Sequence, residues 1–173
     1  MIAECQKRLG PAANITPHAQ DFRALSFPEN SLDLIASSIS LHHLADPEKQ
    51  SLFKNIAKWL RPGGIFDFSD QFAGKTPEIY ARHLDHWRTA AQKLGATDAE
   101  WTAWMEHQAA HDHHSPIAVQ IDWLKAAGFE SIGEVSSALA AKFGDAETVK
   151  IVWKPQTMTP IDQDKAESLM KLV

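Results

Sequence analysis

The sequence predicts an α/β fold in which parallel strands are covered by helices, and three observations carry that prediction. A short apolar run at 32–36 ends in small polar residues, and a helix with apolar spacing follows at 47–60. Pro62-Gly63-Gly64 then stops that helix, and a second apolar run opens at Ile65. Strand, loop, helix, turn and strand in this order make a βαβ unit, whose parallel strands need a crossover helix and a buried sheet. The loop after the first strand sits at the carboxyl edge, where open α/β sheets bind ligands, so 37–44 is the first place to look for function.

Taken in order, 1–9 has Ile2, Cys5 and Leu9 at helical spacing and is closed by Gly10-Pro11. A helix that opens at the initiator methionine with its apolar face already patterned reads as the middle of a domain. Segment 14–22 reads as a weak strand, demoted to an edge by Pro17. The helix at 47–60 places Leu52, Phe53, Ile56, Trp59 and Leu60 on one side, with Asp46 as expected N-cap and Pro47 at its first position. Two amphipathic helices follow at 78–94 and 98–111, separated by Gly95 and capped by Thr97 or Asp98. Ser115-Pro116 predicts another helix entry, and Ile117, Ile121 and Leu124 give that helix an inward face up to Gly128. Closing strands are expected at 130–135 and 148–153. Residues 1–155 form the predicted domain, and 156–173 a polar tail.

Length and charge narrow the classes. At 173 residues the chain has room for one ordinary domain and a real core, and a net charge of -5 argues against a surface built on phosphate contacts. No nucleic-acid partner is expected. A single cysteine, Cys5, excludes an internal disulfide and fits a reducing cytoplasm, and no run has the apolar length of a membrane span. The expected setting is cytoplasmic, without a membrane partner.

Four blocks, D-F-R-A-L-S-F-P-E-N-S-L-D-L-I, S-L-H-H-L-A-D-P, L-R-P-G-G-I-F-D-F-S-D and D-H-H-S-P with W-L-K-A-A-G-F, stand in this order along the chain. Together they resemble class I S-adenosylmethionine-dependent methyltransferases of the type that modifies small molecules. The resemblance covers about 1–153 and implies a Rossmann-like sheet with helices on both faces. It also implies S-adenosylmethionine as cofactor and a small-molecule acceptor as partner. In the family an acidic residue after the third strand takes the adenine amine. That role falls here on Asp21, with Phe22 near the ring, and a carboxylate suits it because it only accepts hydrogen bonds. The loop after the fourth strand lines the methionine end of the cofactor and faces the acceptor, which implies Ser38, Ser40 and Leu41 as cofactor contacts and His42 as the catalytic residue, a general base. His43, His113 and His114 are expected at the mouth of the substrate pocket.

One departure from the pattern has consequences. The family's glycine-rich loop after the first strand and its ribose acid after the second have no counterpart, and no G-x-G-x-x-G occurs in the sequence. The chain therefore reads as an N-terminally truncated form, its first two strands missing, with impaired cofactor binding. The alternative is a non-catalytic methyltransferase-like binding or partner subunit. In the family's strand order this truncation leaves 32–36 with one unpaired side. Either 14–22 then pairs with it, or the protein forms a homodimer through the exposed edge.

His111-Asp112-His113-His114 offers metal-ligand residue types, which makes a metal-binding protein using this cluster a weaker alternative. Adjacent histidines in an extended segment point to opposite sides, and a third ligand would have to come from His83, His86 or His107. No metal is expected there. His83 and His86 read as surface or pocket-wall residues. Trp87, Trp101 and Trp104, at helical spacing, read as core rather than as a stacking surface for an acceptor, and Cys5 as a small buried hydrophobe.

Overall fold

The computed structural model describes Lys7, Asn14, residues 16–134 and residues 148–152. The expected helix at 1–9, with Cys5, the residues 135–147 and the tail at 156–173 lie outside the described residues, apart from Lys7, which is helical. Strand β1 (Leu32–Ser38) leads into helix α1 (Asp46–Trp59) and strand β2 (Leu60–Ser69), so the βαβ unit forms as its pattern predicts. Helices α2 (Pro77–Lys93), α3 (Asp98–His111) and α4 (Ile117–Ala127) follow, then strands β3 (Ile132–Glu134) and β4 (Thr148–Val152). The strand order is β1-β2-β4-β3, with β1 and β2 parallel and β4 antiparallel to both of its neighbours.

Local chemistry sets most boundaries. Thr97 accepts from the Glu100 N–H while Glu100 reaches back to the Thr97 N–H, a complete capping box at the start of α3. Thr76 caps α2 by accepting from Ile79 N–H, and Gly128 ends α4 at φ 102°, in the left-handed region that glycine enters without penalty. Three boundaries differ from expectation. Helix α1 is capped at Ala45, whose N–H donates to Glu48 Oε2, because the Asp46 carboxylate accepts instead from Ser115 Oγ at 2.5 Å. Pro116 precedes α4 without a side-chain cap for the same reason, since the Ser115 hydroxyl is committed to Asp46. Pro62-Gly63-Gly64 is no helix stop: α1 ends at Trp59, and the three residues bulge within β2, where Leu32 faces Leu60 but Leu34 already faces Ile65.

The core forms on one face of the sheet. Phe66 and Phe68 of β2 stack at 5.1 Å and meet Phe53 of α1, while Phe129, just beyond α4, closes on Phe66. Parity places Ile35 and Ser37 beside Phe66 and Phe68 on this face, and Leu34, Ala36 and Ser38 on the other, where all three are exposed. The expected strand at 14–22 is not formed among the described residues; Phe22–Ala24 is a short 3-10 turn instead. Proline at 17 withholds a ladder donor, and Asp21 accepts from the Arg23 N–H, which favours the turn. Among the described residues β1 therefore pairs on one side only, with β2.

Candidate functional site

A cavity of about 760 Å³ opens at the carboxyl edge of β1 and β2. Its floor comes from the loops after these strands (Ile39, His42, His43 and Gln71) with Asp112, and its walls from α2 and α3, including Trp87, Leu94, Trp104 and His107. The sharp exit from β1 produces this floor. Ile39 stands at φ 49°, a conformation rare for a β-branched residue, with its N–H held by Ser69 O at 2.8 Å. The turn after it, Leu41–His43, aims the two histidines differently: His42 is buried, and the His43 side chain is 43 % exposed.

His42 is held from two directions by Asp70, the residue that follows β2. The Nδ1–H of His42 donates to Asp70 Oδ1 and its backbone N–H to Asp70 Oδ2 at 3.0 Å, while Gln71 N–H also donates to Oδ1 at 2.8 Å. With Nδ1 carrying the proton, Nε2 presents a lone pair. Burial pulls the pKa of His42 down, yet the hydrogen bond and charge of Asp70, helped by the charge of Asp112, outweigh it and hold the imidazole above its ordinary value.

The segment after α3 alternates as an extended chain must. Asp112 and His114 turn inward, with side chains 7 % and 6 % exposed, whereas His111 and His113 are exposed. Asp112 Oδ1 lies 3.0 Å from His43 Nδ1 and 3.9 Å from His42 Nε2. The Tyr80 hydroxyl of α2 meets His114 Nδ1 at 2.5 Å and accepts from Gln108 Nε2 of α3. Burial and the Asp112 charge raise the Tyr80 pKa, which keeps the phenol neutral; burial lowers that of His114, which keeps the imidazole neutral. Gly74 makes this contact reachable, because a Cβ there would stand 2.4 Å from the Tyr80 backbone nitrogen.

Lys49 of α1 fixes the segment from below. Its ammonium, 1 % exposed, donates to His113 O and to Ser115 Oγ at 2.7 Å, and lies 3.5 Å from Asp46 Oδ1. Burial lowers its pKa against the opposing pull of Asp46. His113 N–H also donates to His42 O at 2.6 Å, which ties the segment to the loop after β1.

The expected residues divide accordingly. His42 and His43 border the cavity. His114 reaches the polar cluster through Tyr80 and Asp112, but His113 is a correction: its side chain points outward, and its backbone does the work. Leu41 is a second correction, since it packs in the hydrophobic core at 4 % exposure instead of facing a ligand. Ser38 and Ser40 stand at the carboxyl edge, joined by the Ser40 Oγ bond to Ser38 O. Asp21 is exposed, its two oxygens accepting from Arg23 N–H and from Arg23 Nη1, both at 2.8 Å, and half-buried Phe22 lies under the Arg23 guanidinium. Trp87, Trp101 and Trp104 form no part of the core. Trp87 and Trp104 are 38 % and 42 % exposed, lie parallel to within 5°, and face the cavity because α2 and α3 bury no residue.

Asp70, Tyr80, Gln108 and Lys49 carry the site without having been singled out in the sequence, and Asp112 was named there only within the cluster at 111–114. Asp70 had a signal, since a carboxylate closing the second parallel strand lies at the same sheet edge as the loop after the first.

The family model described as a methyltransferase domain matches residues 1–64. Among solved structures, an S-adenosylmethionine-dependent methyltransferase from Mesorhizobium loti is similar at 21 % identity and TM-score 0.57, over 89 % of this chain and 76 % of that one. A protein from Bordetella parapertussis described as a possible exported protein is similar at 18 % and TM-score 0.58, over 89 % and 50 %. The cyclase SpnF is similar at 17 % and TM-score 0.55, over 90 % and 61 %. The chain thus spans between half and three quarters of the length of these structures. On its family match and its fold together, the chain resembles the class I S-adenosylmethionine-dependent methyltransferases and carries their Rossmann-like architecture.

Proposed function

We propose that this chain belongs to the methyl-transfer machinery for a small-molecule acceptor, which binds in the cavity between the carboxyl sheet edge and α2 and α3. The observation that carries this reading is the buried His42–Asp70 pair at the floor of a cavity walled by Trp87 and Trp104. An apolar, aromatic wall above a few fixed polar groups is what a small organic ligand requires. S-adenosylmethionine supplies, when bound, an activated methyl on a sulfonium. The exposed Asp21 carboxylate keeps lone pairs for an adenine amine even while Arg23 holds it, so Asp21 with Phe22, and Ser38 and Ser40 at the sheet edge, suit part of such a ligand.

The chain's own groups have distinct tasks. Trp87 and Trp104 stack on or flank the acceptor, His43 contacts its polar end, and His42 Nε2 takes a proton from the nucleophile while Asp70 keeps the ring in the required tautomer. The lone cysteine supports a reducing, cytoplasmic setting. Among the described residues no helix is long and apolar enough to cross a membrane.

The test is transfer of labelled methyl from S-adenosylmethionine to a panel of hydroxylated and aminated aromatic compounds. Transfer that is lost in His42→Ala and kept in His86→Ala supports the reading. Transfer by the parent that survives in His42→Ala removes His42 from the chemistry. A second reading is a non-catalytic methyltransferase-like subunit that binds small molecules without methylating them. Saturable binding of a panel compound without any label transfer selects it.

A further inference from the structure

We propose that His42, His43 and Asp112 form a binding site for a divalent transition-metal ion of the zinc class. One nitrogen from each histidine and one carboxylate oxygen lie within 4.8 Å of one another. The separations from Asp112 Oδ1 are 3.0 Å to His43 Nδ1 and 3.9 Å to His42 Nε2. Tetrahedral zinc, with ligands at about 2.1 Å, spaces its donor atoms at roughly 3.4 Å, so the observed distances bracket the requirement. Two elements hold the three groups in place: two sit on the turn after β1, and the third on the segment pinned by Lys49 and tied to that turn by the His113 N–H bond to His42 O.

A second observation points to a ligand. Asp112 Oδ1 and His114 Nε2 are buried without a hydrogen-bond partner, although His43 Nδ1 stands 3.0 Å from that oxygen. An unpaired buried carboxylate oxygen is costly, and a cation held between it and the imidazole nitrogens would satisfy it. The surroundings are those of a metal centre. Asp70 accepts the Nδ1–H of His42 and leaves Nε2 facing inward, the carboxylate–histidine–metal arrangement. His114 Nε2, 3.8 Å from Asp112 Oδ2, lies beside the other carboxylate oxygen. The exposed side of His43 gives the ion a path in from the cavity. Two imidazoles with one carboxylate favour zinc, cobalt, nickel or iron over magnesium and calcium, which prefer oxygen donors throughout. Metal bound here occupies His42 Nε2, so it and the proton-acceptor role are alternative states of the same nitrogen.

The experiment uses the chain without an affinity tag, stripped with chelator and titrated with Zn²⁺ by calorimetry and with Co²⁺ by visible absorption. One ion per chain is expected, with a Co²⁺ spectrum of low-coordinate type. Affinity should fall at least about tenfold in both His43→Ala and Asp112→Asn, and stay unchanged in His86→Ala. Thermal unfolding of the metal-free variants checks that each is folded, and Zn²⁺ should raise the melting temperature of the parent but of neither variant. No stoichiometric binding, or binding that survives either substitution, overturns the proposal. Neither readout involves the cofactor or an acceptor, so the result is independent of the methyl-transfer reading.

Discussion

Asp70 grips His42 at two points, accepting the ring Nδ1–H on one carboxylate oxygen and the backbone N–H on the other at 3.0 Å. Asp70→Asn keeps the shape but replaces one acceptor oxygen with a donor, so one of the two bonds is lost, at a cost of about 1–3 kcal/mol. The pH dependence follows from the sign of the shift. The folded-state pKa of His42 lies above its ordinary value, so this stabilisation is fully present below that ordinary value and is lost as pH rises through the folded one. In chelator-treated protein the gap in melting temperature between parent and variant should be wider near about pH 5 than near about pH 9. A gap that is constant across that range would contradict the assignment.

Lys49 uses its three donors at once, and two of its partners belong to the segment that carries Asp112 and His114. Lys49→Met preserves the volume of the stem but removes the Lys49 donor from His113 O and leaves Ser115 Oγ with Asp46 alone, so chemical denaturation should show a loss of about 2–4 kcal/mol. Lys54→Met, at an exposed position of the same helix, should change stability by less than about 0.5 kcal/mol. Equal effects would mean that burial of Lys49 has no energetic role.

Affinity for S-adenosylmethionine should be weak in this chain. The resemblance implies two or three hydrogen bonds to charged groups from a glycine-rich loop and a ribose acid that these 173 residues do not contain, and at roughly 1.5–3 kcal/mol each their loss would lower affinity by about three orders of magnitude or more. Calorimetry that gives micromolar affinity contradicts this. If residual affinity is measurable, Asp21→Ala and Asp21→Asn should both reduce it. Unchanged affinity in both removes Asp21 from the site.

The outer edge of β1 has no strand beside it among the described residues, and Leu34 is 48 % exposed. A flat apolar edge is a template for a second copy, so light scattering should report a dimer, with slow hydrogen exchange at the Leu34 and Ile35 amides. A monodisperse monomer whose two amides exchange freely overturns this.

Local chemistry was the legible part of the fold. The boundaries of α3 follow from Thr97 and Glu100, and the inward turn of Asp112 and His114 follows from simple alternation. Lys49 was hidden because a lysine on an amphipathic helix normally faces water, and only the approach of His113 and Ser115, more than sixty residues away, makes burial favourable. The tryptophans misled for the opposite reason. Helical spacing marks a shared face, but it does not say whether that face meets a sheet or a cavity.

Helices α2 and α3 bury no residue; polar contacts such as Tyr80 with His114 and Arg88 with Asp98 fasten them, together with the packing of Trp87 on Trp101 and Trp104. The hydrophobic interior of Phe53, Phe66 and Phe68 owes them nothing. Substitutions at Trp87, Leu94 or Trp104 therefore reshape the roof of the cavity without opening a void beneath it, and their effects on stability should add to those of core changes. The part that would choose the acceptor is thus free to diversify, by point mutation or by exchange of the whole helical pair, while the floor that holds the histidines stays the same.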